Sequence, residues 1–123
     1  MKNTVNILKA LSDKNRLKII YALMETDELC ACQITEILKV KGATASRHLA
    51  VLSGVDLLES RKDGRWVYYR ISNDFFIERN NELYQWIKHE KINSEEFKNE
   101  HKNIFHILKQ DPEVICRKQR GVV

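Results

Sequence analysis

What the 123-residue chain lacks narrows its class first. No run approaches the roughly eighteen consecutive apolar residues that a membrane-spanning helix needs. Met1 to Leu11 is a short amphipathic stretch with no secretory cleavage site, so the expected compartment is the cytoplasm. There are only three cysteines, an odd number, which in a reducing compartment argues against a disulfide framework and leaves thiol chemistry or none. There are no internal repeats and no low-complexity tracts. The length suits one domain: enough for a real core, too little for two.

Acidic residues are scarce in one place. Residues 39–70 contain seven bases (Lys39, Lys41, Arg47, Arg61, Lys62, Arg65, Arg70) and three acids (Asp56, Glu59, Asp63). That segment accounts for the whole net charge of +4, because the other 91 residues carry 14 of each sign. Clustered positive charge is the footprint of a polyanion binder, whereas a merely solvated face mixes the signs.

The pattern along the chain predicts mainly helix with one small hairpin. Val5, Leu8 and Leu11 space a first helix over 3–11, and Ser12-Asp13 offers N-cap chemistry for a second over about 13–25, striped by Leu17, Ile20, Tyr21 and Met24. A short third helix runs from about Cys32 to Leu38. Lys39 to Gly42 makes a turn with Gly42 as its flexible point, and a fourth helix covers about 44–55 with Ala45, Leu49 and Leu52 facing the core. Thr44 and Arg47 then point outward, flanked by Ser46. A short helix, a tight turn and a second helix that starts with such residues match a helix-turn-helix, whose second helix reaches base edges in the major groove.

Two β-prone runs, Leu57–Lys62 and Arg65–Ile71, flank Asp63-Gly64, a strong hairpin signal. Arg61, Lys62 and Arg65 crowd the tip of this wing, where they suit phosphate contact. Trp66, Tyr68 and Tyr69 alternate faces of the hairpin and read as strand residues, not as a base-stacking platform. A further amphipathic helix is expected over 74–90 and a last one over 95–109, capped by Ser94. The apolar surface of the terminal helices exceeds what so small a core can cover, which points to a homodimer. Asp111-Pro112 is expected to end regular structure. The chain thus divides into a winged helix-turn-helix domain over 1–110, with dimerisation helices at both ends, and a tail over 111–123 that carries Cys116.

Cys30-Ala31-Cys32 lies just ahead of the helix-turn-helix. Thiolates are soft ligands for soft metal and metalloid ions. In a helix, positions i and i+2 point roughly 200° apart, so the pair can share an ion only at a frayed end or a first turn. As small apolar core residues they would both have to point inward, which the same geometry disfavours. His48 adjoins the apolar stripe and suits a structural hydrogen bond. His101 and His106 read as packing or surface residues.

Three stretches together carry a resemblance. Leu11–Ile20, with Ser12-Asp13-Lys14-Asn15-Arg16, resembles the second-helix signature of the ArsR/SmtB family of winged-helix metalloregulatory repressors. Glu28-Leu29-Cys30-Ala31-Cys32 is similar to that family's cysteine box. Thr44–Leu52 followed by Gly64–Arg70 resembles its recognition helix and wing. The likeness spans about residues 5–90. It implies a homodimer that binds double-stranded operator DNA through Lys41, Thr44, Ser46, Arg47, Arg61, Lys62 and Arg65. It further implies release when an inducer binds the cysteines, which in the thiol-rich branch is trivalent arsenic, As(III), or antimony, Sb(III).

The chain departs from the family pattern twice. Asp56 stands where a glycine usually ends the recognition helix, and Asp tolerates the left-handed conformation better than most residues. The third cysteine usual a few residues beyond the box is replaced by Gln33, Ile34 and Thr35. A three-sulfur site with Cys30 and Cys32 must therefore draw on Cys116, from the same chain or its partner; otherwise Cys116 is a solitary exposed thiol. Cysteine-rich N-terminal arms typical of cadmium and lead sites are lacking, as is the Asp-x-His pattern of the interfacial zinc site. Two rivals remain: a repressor of the same fold that senses oxidation or persulfidation, pairing Cys116 with one of the other cysteines, and a thiol-disulfide enzyme. The latter fits poorly, since Cys-x-Cys replaces Cys-x-x-Cys and no βαβ pattern accompanies it.

Overall fold

The computed structural model describes residues 2–120. Helices α1 (Lys2–Leu11) and α2 (Lys14–Leu23) lead into a two-residue strand β1 (Leu29–Cys30), which runs directly into α3 (Ala31–Leu38). Then come α4 (Gly42–Gly54), the hairpin β2 (Leu58–Asp63) and β3 (Trp66–Ile71), a π-helical segment (Asn73–Glu78), α5 (Asn81–Ile92), α6 (Glu95–Lys109) and α7 (Pro112–Gln119). The sheet is antiparallel in the order β1-β3-β2. The mainly helical winged helix-turn-helix architecture is as expected. Among the described residues no helix is long and apolar enough to cross a membrane.

Local chemistry explains most of the boundaries. Asp13 caps α2 by accepting from the Arg16 backbone N–H at 3.1 Å, and Ser94 caps α6 by accepting from that of Phe97, also at 3.1 Å. The core is made where α2, α3, α4 and α6 converge: Ile19, Ile20, Ile34, Ile37, Leu49, Leu52, Leu57, Phe76 and Ile104 are all fully buried. The buried face of α2 is rotated from the expected stripe. Ile19, Ile20, Ala22 and Leu23 are buried, while Leu17, Tyr21 and Met24 pack against the edge. Asp56 adopts φ +62°, the left-handed conformation its position demands.

Four expectations are corrected. The left-handed residue of the helix-turn-helix is Lys39 (φ +56°), which ends α3, while Gly42 is already the first residue of α4. In the hairpin Asp63 pairs with Trp66, so Gly64 and Arg65 are the loop residues and only Gly64 takes positive φ (+60°). Glycine at the first loop position fits a type II′ turn, so no second left-handed residue is needed. The helix expected over 74–90 is split: Ser72 caps a π-helical segment, and Asn80 Nδ2 donates to Phe75 O at 2.7 Å before α5 begins. Finally, Asp111-Pro112 starts a helix instead of ending structure. Asp111 accepts from the Glu113 N–H at 3.0 Å and proline occupies N1, where its missing N–H costs nothing.

Candidate metalloid site and nucleic-acid interface

The residues singled out for DNA lie on α4 and its N-cap and on the wing, and Lys41 and Arg65 line one cleft between the two. Lys41 is the N-cap of α4 and is exposed, as are Ser46 and Arg47; Thr44 is half-buried. Ala45, Leu49 and Leu52 fix the orientation of α4 from the other side. Arg16, not among the expected contacts, braces this helix from α2. Its Nε donates to Ala10 O at 2.6 Å, and its Nη1 lies 3.2 Å from His48 Nδ1, the structural hydrogen bond expected of that histidine. The wing's cations differ among themselves. Lys62 is exposed. Arg61 is clamped by both carboxylate oxygens of Glu28 at 2.9 and 2.5 Å, with its guanidinium 4.4 Å over the Tyr68 ring. Arg65, in the hairpin loop, faces Glu113 of α7 at 3.6 Å.

The cysteine box occupies the strand-to-helix junction. Leu29 and Cys30 pair with Tyr69 and Tyr68 of β3, tying the box to the wing's own backbone. Cys30 is the N-cap of α3, with a reciprocal bond from its N–H to Gln33 Oε1 at 2.9 Å. Its side chain is buried. Burial pushes the thiol's pKa up, and the N–H groups of Gln33 and Cys32 facing the sulfur offset this only in part. Cys32 lies in the first turn of α3, the one helical setting in which an i, i+2 pair can converge.

Cys116 reaches this site from α7. Its sulfur is bonded to that of Cys32, across a Cα–Cα distance of 5.4 Å and 84 residues of sequence. Cys116 and Ile115 are buried against α3, and Gln119 Nε2 donates to Cys32 O at 2.8 Å and to Glu36 Oε2 at 3.3 Å. All three cysteines line one cleft of about 590 Å³, whose other walls include Val40, Lys41, Arg65 and Trp66. Among the described residues no three His, Cys, Asp or Glu side chains are grouped closely enough to hold a metal ion as they stand. The structure therefore joins Cys32 and Cys116 directly and leaves Cys30 as the cap beside them. The docking residues Glu113 and Gln119 escaped the sequence reading; the available signal was Asp-Pro as cap and first helical position.

His101 packs its ring against Phe97 and Phe105, as expected, and in addition its Nε2 lies 3.5 Å from Glu25 Oε2, whose other oxygen accepts from buried Lys91 at 2.6 Å. Burial raises the Glu25 pKa, but Lys91 and His101 outweigh it and hold the carboxyl below its ordinary value.

Comparison with known proteins agrees with this architecture. Residues 13–60 match the family described as bacterial regulatory protein, arsR family. The cadmium resistance transcriptional regulatory protein CadC of Listeria innocua is 51% identical over 65 residues, which cover 53% of this chain and 55% of that protein. The arsenical resistance operon repressor of Escherichia coli is 43% identical over 68 residues, covering 55% and 58%. The matched stretch thus spans a little over half the length of these curated relatives. Among solved structures, the homodimeric winged helix-turn-helix DNA-binding domain of a possible ArsR-family regulator from Mycobacterium bovis is similar at 29% identity and a TM-score of 0.60, covering 72% of this chain and 81% of that one. Helix-turn-helix and wing are thus arranged as in transcriptional regulators, and the chain belongs to the arsR family of bacterial regulatory proteins.

Proposed function

We propose that this protein is a homodimeric transcriptional repressor that leaves its operator when As(III) or Sb(III) binds Cys30, Cys32 and Cys116 as reduced thiols, each giving up its proton after a thiol reductant has opened the Cys32–Cys116 bond. The observation that carries the reading is the meeting of Cys116 with Cys32 in the first turn of α3, beside Cys30 and in the same cleft as Lys41 and Arg65. Trivalent arsenic takes three sulfurs in a trigonal pyramid. Drawing Cys30 in would break its capping bond to Gln33 and disturb the start of α3, and with it the seating of α4. Thr44, Ser46 and Arg47 would read the major groove, with Lys41, Arg61, Lys62 and Arg65 on phosphates. Dimerisation would use the apolar side chains left exposed on α1, α5 and α6: Val5, Leu8, Trp86, Ile92 and Phe105. By linkage, DNA weakens inducer binding by the factor that inducer weakens DNA binding.

The test is fluorescence anisotropy of a duplex selected from random sequence, titrated with arsenite. Undiminished duplex affinity, or an unchanged response in Cys30→Ser, would sink the reading. Arsenic X-ray absorption should show three sulfurs in the wild type and two in Cys116→Ser. A second reading, cadmium as inducer, is favoured by the 51% identity to cadmium regulators. It predicts release by Cd(II) at concentrations where arsenite has no effect.

A further inference from the structure

The wing tip and the C-terminal helix meet at one ion pair. Arg65 Nη2 lies 3.6 Å from Glu113 Oε1, and the same oxygen accepts from Arg117 Nη2 at 3.0 Å, one helical turn along α7. Arg65 sits in the hairpin loop, the part of a wing that projects toward a DNA backbone. Glu113 stands in the first turn of α7, a helix of eight residues. A helix that short is marginal alone, so its position depends on what anchors it. Its anchors are Ile115, Gln119 and the junction between Cys116 and Cys32.

A carboxylate held at this point offers Arg65 the same oxygen geometry as a phosphate, so the two compete. It also repels any phosphate that approaches. We propose that Glu113 is the positioning residue that couples the thiol site to the wing: a bridge between Cys32 and Cys116 fixes α7 on α3, and Glu113 then occupies Arg65 in place of DNA. Without the bridge α7 loosens, Glu113 withdraws and Arg65 is free for phosphate. This rests on the DNA-binding reading above but not on the identity of the inducer. It adds a second route from site to DNA, through α7 and the wing, to the one through α3 and α4. An ordinary surface ion pair would contribute little and would be indifferent to the bridge.

The test needs no metalloid. In Cys30→Ser only Cys32 and Cys116 remain of the three cysteines. Diamide joins them: two S–H bonds break, one S–S bond forms, and both hydrogens pass to the diazene, which leaves as the hydrazine. Affinity for the selected duplex is measured for reduced and oxidised protein, with Glu113 or with Glu113→Gln. Oxidation should weaken binding about five- to tenfold when Glu113 is present, and about twofold or less in Glu113→Gln. The two reduced proteins should bind alike, and Glu113→Asp should restore part of the loss. An equal loss in Glu113→Gln, or no effect of oxidation on the parent, overturns the proposal while leaving the arsenite titration free to succeed. A reduced parent that binds no duplex overturns the DNA-binding reading, and this one with it.

Discussion

The half of the molecule that carries the recognition helix and wing is built differently from the helices that follow it. Between residues 13 and 71 each element has its own local fastening. Asp13 caps α2, Gln33 closes the start of α3, Lys39 and Asp56 turn the chain through left-handed residues, and Gly64 fits the hairpin loop. All of these elements share a core in which Leu49, Leu52 and Leu57 have no exposed surface. Of the C-terminal helices, α5 and α7 bury far less. α5 buries only Ile87 and Lys91 of its twelve residues, and α7 only Ile115 and Cys116 of its eight. α6 joins the first half through Phe97, Ile104 and Ile107 in the core and through Lys14 with Glu96 and Lys18 with Glu100, α5 through Lys91 with Glu25, and α7 through Ile115 and the Cys32–Cys116 bond. The recognition helix and wing are thus fastened element by element, whereas α7 hangs on a few residues around one sulfur–sulfur bond.

Leu49→Ala breaks this contrast at its strong end. It should cost about 2–5 kcal/mol in urea unfolding and destabilise both halves together, because the cavity opens where α2, α3 and α4 meet. Ile115→Ala should instead raise hydrogen exchange in α7 alone.

The next largest effect concerns the link between the halves. Glu25→Gln leaves buried Lys91 without its anion and should cost about 1–3 kcal/mol at neutral pH. The wild-type pH dependence has a fixed sign. Glu25 ionises below its ordinary value of 4.5 in the folded protein. Its contribution is therefore fully present above that value and is lost as pH falls through the lowered one. Urea midpoints taken from neutral pH down to about pH 3 should fall less steeply for Glu25→Gln than for the wild type.

Asp111→Ala removes the cap of α7 and should cost that helix about 1 kcal/mol. The expected readout is faster exchange at Glu113 to Ile115 with little change in the global unfolding midpoint. The smallest change is Asp56→Gly. It relieves a left-handed non-glycine residue but frees the unfolded chain, so the two effects should nearly cancel, to within about 1 kcal/mol. A shift well beyond that would show that the Asp56 side chain has a role in the native state.

Legibility in the sequence followed the same division. The helix-turn-helix, the wing and the Ser94 cap were readable because period, turn chemistry and capping are local. That the box itself offers only two thiols was readable by counting, since Gln33, Ile34 and Thr35 hold no sulfur. What failed depended on distance or on ambiguous signals. β1 is two residues long and exists only because β3 pairs with it. The π-helical segment has the same apolar spacing as an α-helix. The hairpin register shifted by one residue because Gly64 serves equally as the second loop position of one turn and the first of another. Asp111-Pro112 reads as a stop and as a start, and only the docking of Ile115 and Cys116 on α3 decides between them. The contacts of Glu25 with Lys91 and His101 join residues too far apart for any spacing rule to reveal.

The chain's two tryptophans fall on opposite sides of the same division. Trp66 is a wall of the thiol cleft at the base of the wing loop, and Trp86 stands exposed on α5 amid the uncovered apolar surface. The protein therefore carries two intrinsic fluorophores in separate settings. Under the proposed function, a heavy atom at the sulfurs should quench Trp66, and a second copy seated on α5 should shift the emission of Trp86 to the blue. Trp66→Phe and Trp86→Phe separate the two signals, so the proposed inducer binding and the proposed dimerisation can each be tested in one cuvette without a label.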